Sequence, residues 1–118
     1  MKSYTDIEQS RKLAEILPIE SADMRYIPIM DIDSMSNSGF LEIPECYPYS
    51  DTINWHADYL PCWSLAALLN VLPNENMLVK TTHGEYYYLA KDVMTKHYDN
   101  PIDACYEMIL KLHELNLL

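Results

Sequence analysis

The sequence of 118 residues predicts an α+β fold, in which a small antiparallel sheet of two hairpins packs against about three helices in the order α-ββ-α-ββ-α. Three segments repeat apolar residues at helical spacing, and two pairs of short strand-like segments surround turn residues. No Gly-, Ser- or Pro-rich linker divides the chain, and its length suits one domain. We therefore expect a single compact domain over residues 1–118.

The first helix is predicted from about Thr5 to Leu17. Thr5 and Glu8 have the spacing of a capping box, in which each side chain satisfies a free backbone N–H at the helix start. Apolar residues recur along one face of this segment, and Pro18 ends it.

The first hairpin is predicted from residues 24–30 and a short returning strand at 40–43. Pro28 places the first of these at a sheet edge or bulge, because proline cannot donate to the ladder. Turn-forming residues at 33–39 separate the two. Residues 44–60 show no clear period, so we expect a long irregular loop there, and such loops tend to be functional.

A short buried helix is predicted over residues 61–72, with Pro61 or Ser64 at its start and Pro73 after its end. Its apolar face consists of Leu65, Leu68, Leu69 and Leu72. A second hairpin is predicted over 77–90 around Gly84, which tolerates the positive φ of a tight turn. A further extended piece is expected within 91–98.

The last helix has every start signal. Asn100 is the predicted N-cap, Pro101 the first helical residue, and Asp103 the acidic residue in the first turn. Apolar residues then repeat at helical spacing to about Leu115, so we expect this helix to cover the sheet.

The charge of the chain excludes several partners. Its formal net charge is −10, which repels nucleic acid phosphates and anionic membrane surfaces. The acidic stretch, Tyr26–Val79, contains no Lys or Arg and carries seven acidic residues. We therefore expect neither direct nucleic acid binding nor membrane binding.

The cellular compartment is predicted from what the sequence lacks. It has no run of about 18 apolar residues and no apolar core of a signal peptide near its N-terminus. Its three cysteines show no C-x-x-C spacing, which favours reduced thiols. We expect a cytoplasmic protein.

Cys62 is the candidate nucleophile. The predicted helix begins there, and a helix start lowers a thiol pKa. His56 and Asp58 lie nearby in sequence, so a small cysteine-dependent hydrolase is one alternative function. Because cysteine is among the most often buried residues, we favour a structural role and expect no enzyme activity.

We expect no bound metal and no cofactor. The cysteines and histidines lack the short spacings of zinc ligands. Asp31 and Asp33 share one face of a strand, as a Mg²⁺ site requires, but Asp-x-Asp occurs often by chance in an acidic chain. Two glycines cannot form a Gly-rich phosphate-binding loop, which excludes nucleotide cofactors.

Aromatic residues are concentrated in the middle of the chain, where tyrosine and tryptophan are typical of interface hot spots. We expect Trp63 to belong to the core, since it adjoins the buried helix. The candidate partner-binding residues combine the acids and aromatics of this region: Asp31, Asp33, Glu42, Glu45, Tyr47, Tyr49, Asp51, Trp55, Asp58 and Tyr59.

Three segments carry a resemblance: Ser-Ala-Asp-Met at 21–24, Pro-Cys-Trp-Ser-Leu-Ala-Ala-Leu-Leu-Asn-Val-Leu-Pro at 61–73, and Asn-Pro-Ile-Asp-Ala-Cys-Tyr-Glu-Met-Ile-Leu-Lys-Leu-His-Glu-Leu at 100–115. Together they resemble small proteins without an assigned activity that are common in gut Bacteroidales genomes and in their phages and mobile elements. The resemblance implies a bacterial cytoplasm or a phage-infected cell, and it implies no site residue.

The leading hypothesis is a non-enzymatic module that presents an acidic, tyrosine-rich loop to a basic protein partner. In a phage or mobile element, that partner is a nucleic-acid-handling host protein whose groove the acidic surface occupies by mimicking phosphates. A third hypothesis is a structural homo-oligomer assembled through the apolar residues 115–118.

Overall fold

The computed structural model describes residues 1–28, 39–46, 59–74, 76–90 and 92–118. Its elements in chain order are α1 (Ile7–Ile16), a 3₁₀ helix (Ile19–Ser21), β1 (Met24–Tyr26), β2 (Glu45–Cys46), β3 (Leu60–Cys62), α2 (Leu65–Val71), β4 (Met77–Lys80), β5 (Tyr86–Ala90), β6 (Val93–Met94) and α3 (Pro101–Glu114). Three helices and two three-stranded antiparallel sheets confirm the predicted α+β class, and their order is close to the predicted one.

These residues form two compact units. The first unit is Asp6–Ser64, and the second unit is Leu65–Leu118 together with Met1–Thr5. The single-domain organisation stays a prediction. Among the described residues, no helix has the length and apolar character needed to cross a membrane.

The N-cap of helix α1 lies one residue later than predicted. Its N-cap is Asp6, whose carboxylate accepts from the Gln9 N–H at 2.8 Å while the Asp6 N–H donates to the Gln9 side chain at 3.1 Å. This is a capping box, but not the predicted pair of Thr5 and Glu8, and Thr5 is fully buried. A carboxylate at this position also interacts favourably with the positive end of the helix dipole.

The sheet of the first unit has the order β2-β1-β3, so β1 lies in the centre. The first hairpin is present, but its second strand is β2 rather than the predicted 40–43 segment. In that segment Phe40 forms an isolated bridge with Pro28, and the Leu41 N–H donates to the Ile27 carbonyl at 2.9 Å. Regular pairing stops here because Pro28 has no N–H to donate.

Strand β3 occupies residues that were predicted to be helix and loop. It pairs with β1 through Met24↔Cys62 and Arg25↔Pro61, and α1 packs against it. Pro61 is accommodated because β3 lies at the edge of the sheet. Of the predicted irregular loop at 44–60, Glu45–Cys46 and Leu60 belong to strands, and residues 47–58 lie outside the described part of the chain.

Helix α2 is therefore shorter than predicted. It begins at Leu65, three residues after Cys62, and ends at Val71. Its buried residues are Ala67 and Leu68, whereas Leu69, which was predicted to be buried, is 41% exposed.

The sheet of the second unit has the order β4-β5-β6 and confirms the predicted hairpin and extended piece. The Thr81 N–H donates to the Glu85 carbonyl at 2.8 Å, and Gly84 has φ +80°, as the tight turn requires. Tyr88 and Ala90 are buried on one face of β5, where Tyr86 is half-buried, and Tyr87 on the opposite face is half-buried too.

Helix α3 begins as predicted. The Asn100 side chain accepts from the Asp103 N–H at 2.9 Å, and Pro101 is the first helical residue. The helix packs against β5 and α2. Its buried residues, at helical spacing, are Pro101, Ile102, Ala104, Cys105, Met108, Ile109 and Leu112.

Candidate functional site

Three of the ten candidate partner-binding residues lie in the described part of the chain: Glu42, Glu45 and Tyr59. The other seven lie outside it, so their placement stays a prediction; they are Asp31, Asp33, Tyr47, Tyr49, Asp51, Trp55 and Asp58.

Arg25 joins two of these three residues. Its Nε lies 2.6 Å from Oε1 of Glu45, and its guanidinium carbon lies 4.2 Å from the centre of the Tyr59 ring. Arg25 is only 5% exposed, and a buried cation requires such partners. The carboxylate of Glu45 is therefore neutralised within the protein rather than presented as a free charge.

Sequence reasoning missed the role of Arg25 because the acidic stretch begins one residue after it. The pairing Arg25↔Glu45 across β1 and β2 gives the physical reason for the contact, since opposite residues on neighbouring strands have side chains close together. The signal was therefore a strand register, which the sequence alone did not provide.

The 41–43 turn is a run of three exposed residues within the acidic stretch. Glu42 is exposed, and the aliphatic residues on either side are exposed too, Leu41 by 49% and Ile43 by 77%. These residues were predicted to form a strand, which would have placed alternate side chains in a core. The turn instead combines a carboxylate with two accessible apolar side chains, a combination suited to protein contact.

Two of the segments that carry the resemblance are bonded to each other. The Trp63 Nε1–H donates to Ser21 Oγ at 2.9 Å, and Ser21 in turn donates to the Pro18 carbonyl at 2.6 Å. The Ser64 N–H donates to Asp23 at 2.9 Å, and the Ser64 hydroxyl also donates to this carboxylate. These residues therefore hold the first unit together, and Trp63, which has no exposed surface, lies in the core as predicted.

The placement of Cys62 removes the helix-start argument for the candidate nucleophile. Cys62 lies in β3 and has no exposed surface, and α2 begins only at Leu65, so its thiol does not lie at a helix start. His56 and Asp58 lie outside the described residues. A substrate would have to reach a side chain that the protein encloses.

The other two cysteines differ from each other. Burial raises the pKa of Cys105 to about 12, so this thiol remains protonated at neutral pH. Cys46 in β2 is exposed. Across the described ranges, no group of three or more His, Cys, Asp or Glu side chains is arranged to hold a metal ion.

Tyr98 of the second unit is structural. Burial raises the pKa of Tyr98 to about 12, with the nearby Glu107 carboxylate acting in the same direction, and the Tyr98 hydroxyl donates to Glu107 at 2.8 Å. Glu107 also accepts from the Lys96 N–H at 3.0 Å. This carboxylate therefore ties α3 to the segment after β6.

No protein family model, curated protein or solved structure matches this chain.

Proposed function

We propose that this protein is a non-enzymatic interaction module that binds a basic protein partner through its acidic stretch. The observation that carries the proposal is the 41–43 turn, where Ile43 is 77% exposed beside the exposed carboxylate of Glu42. Such a pair combines an apolar anchor with a charge that selects the partner.

Electrostatics supports a basic partner. The acidic stretch has seven acidic residues and no Lys or Arg, and Arg25, which precedes it, forms an ion pair with Glu45. A positive partner is attracted to this region over about one Debye length, roughly 8 Å at physiological ionic strength. Charge therefore accelerates the encounter, while burial of Leu41 and Ile43 slows dissociation.

The finer proposal concerns the identity of the partner. The resemblance to proteins of phages and mobile elements, together with the net charge of −10, favours a nucleic-acid-handling host protein with a basic groove. Carboxylates that occupy this groove take the place of phosphates. The module would then inhibit a host defence protein by competing with nucleic acid.

The test is affinity capture from a bacterial lysate with the full chain as bait, followed by identification of the captured proteins and by direct titration with the purified partner. Two variants change the 41–43 turn: Glu42→Lys and Ile43→Ser. Two matched controls make the same changes on the 3₁₀ helix, Glu20→Lys and Ile19→Ser, where a glutamate and an isoleucine are likewise adjacent and exposed.

We expect a basic partner whose binding weakens about tenfold in the turn variants and by less than twofold in the controls. Binding should also weaken between 0.15 and about 1 M salt, where the Debye length falls to roughly 3 Å. For the finer proposal, duplex DNA should displace the partner. A partner that is lost equally from turn and control variants, or that binds independently of salt, would contradict the proposal.

A further inference from the structure

A cavity of about 300 Å³ lies within the second unit, where the segment after α2, the β5–β6 turn and the end of α3 meet. Its walls are mostly apolar, and three polar residues contribute to its lining: Asn74, Asn76 and Asp92. Partner binding at the 41–43 turn does not account for this feature.

The way in which α3 ends shapes one wall. Asn116 has φ +57°, and the N–H groups of Asn116 and Leu117 donate to the carbonyls of His113 at 3.1 Å and Leu112 at 2.8 Å. This is a Schellman motif, which brings the residue after the helix against its last turn. Leu112 and Leu117 both line the cavity, so the wall is fixed by the helix terminus.

Two of the polar residues that line the cavity differ in character: Asn76 is held by a hydrogen bond, and Asp92 carries a charge. The Asn76 amide donates to the Pro73 carbonyl at 2.6 Å. Asp92 is exposed and is the one charged residue among the described residues that line the cavity. Its chain neighbour Lys91 and the loop residue Glu75 lie outside the described residues, and their formal charges are opposite.

We propose that this cavity binds a small amphipathic amine, with an apolar ring against Val93, Leu112 and Leu117 and its ammonium group at Asp92. The volume is about twice the roughly 150 Å³ of an engineered cavity that takes up benzene, and it lies at the lower end of ligand pockets. A cation is complementary both to Asp92 and to the net charge of −10. An anion is repelled by both, and a neutral molecule gains nothing from Asp92.

Three probes of similar ring structure separate these cases: tryptamine, neutral 3-ethylindole and anionic indole-3-propionate. Each is titrated into the ¹⁵N-labelled full chain while backbone amide shifts are followed. We expect saturable shifts at Ala90, Val93 and Leu117 with tryptamine, about threefold weaker binding of the neutral probe, and still weaker binding of the anion.

Matched variants test the two ends of the ligand. Asp92→Asn should weaken tryptamine about threefold and leave the neutral probe unchanged, whereas Glu114→Gln, an equal charge change on an exposed residue that does not line the cavity, should affect neither. Val93→Phe should block all binding. Met94→Phe should leave binding unchanged, because the Met94 side chain lies on the other face of the same strand.

The amide spectrum of each variant also reports whether it is folded. If Val93→Phe fails to fold, Leu117→Trp is the second filling variant. Leu117 is 55% exposed, so a larger side chain there can fill the cavity, and this variant should block binding. The proposal is overturned if no probe gives saturable shifts at the lining residues, if the anion or the neutral probe binds as tightly as tryptamine, or if the filling variant binds normally.

Discussion

The first unit and the second unit each contain a three-stranded antiparallel sheet, but they are stabilised in different ways. In the second unit, one long helix covers the sheet with seven buried residues at helical spacing. In the first unit, the segments that flank the short strands are also joined by polar contacts between residues far apart in sequence, such as Trp63 with Ser21 and Ser64 with Asp23. The first unit therefore combines its own buried apolar residues with individual long-range polar contacts, whereas one apolar helix face dominates the second.

The largest expected effect is that of Trp63→Ala. This change removes a fully buried ring and its bond to Ser21, so the free energy of unfolding should fall by about 3–5 kcal/mol. Urea titration followed by circular dichroism measures the loss, and hydrogen exchange should rise more in residues 6–64 than in 65–118. Ile109→Ala is the matching variant in the second unit, and its hydrogen exchange should rise more in residues 65–118 than in 6–64. Equal exchange patterns for the two variants would contradict the comparison.

Asp23→Ala should have the next largest effect. It leaves the Ser64 N–H and hydroxyl without the carboxylate that accepts from them, which should cost about 1–3 kcal/mol in urea titration. Asp23→Asn retains one acceptor and should cost less. Glu20→Ala removes an exposed carboxylate nearby in sequence and should be close to neutral. A loss no greater for Asp23→Ala than for Glu20→Ala would show that these bonds do not stabilise the first unit.

Alkaline pH tests the buried thiol of the second unit. Cys105 has an ordinary pKa of 9.0 and a folded-state pKa of about 12, because burial disfavours the thiolate. The unfolded chain loses the thiol proton of Cys105 from about pH 9, while the folded protein keeps it. The contribution of this thiol to the free energy of unfolding is therefore complete below pH 9 and is lost as the pH rises toward 12.

The free energy of unfolding should thus fall by about 1 kcal/mol more in the wild type than in Cys105→Ala between pH 9 and pH 10. Urea titrations at both values measure the difference. Tyr88 and Tyr98, whose ordinary pKa of 10.0 lies at the upper end of this interval, are present in both proteins, so their contribution largely cancels in the difference. Identical pH dependence of the two proteins would contradict burial of this thiol.

The smallest effects are expected at the helix N-caps. Asn100→Ala should cost about 1 kcal/mol, and Asp6→Ala about 0.5 kcal/mol, because Asn100 is 6% exposed while Asp6 is exposed to water. Serine at either position should restore most of the stability. Thermal unfolding measures both, and a larger loss at Asp6 than at Asn100 would reverse the predicted order.

The contrast between the long helix of the second unit and the long-range contacts of the first unit also explains which elements could be predicted from the sequence. The start of α3 was predicted correctly because Asn100, Pro101 and Asp103 act within one turn of the chain. The start of α1 was missed by one residue, since both Thr5 with Glu8 and Asp6 with Gln9 satisfy the capping pattern. Local sequence patterns therefore predict the presence of a helix well. They leave its first residue undecided when two overlapping capping pairs are possible.

Strands β2 and β3 could not be predicted because their partners lie far away in sequence. All three residues of β3 are buried, so no polar alternation marks it as a strand, and its stability comes from β1. The ion pair of Arg25 and Glu45 depends on the same register and was missed for the same reason. Of the candidate surface, the sequence identified Glu42 but not its exposed neighbour Ile43, which had been assigned to a strand.

The position of Pro61 has a consequence for the edge of the sheet in the first unit. Strand β3 pairs with β1, and all three of its residues are buried. A buried N–H that finds no acceptor costs about 1–3 kcal/mol. Because proline has no N–H, Pro61 leaves this enclosed strand one donor fewer to satisfy.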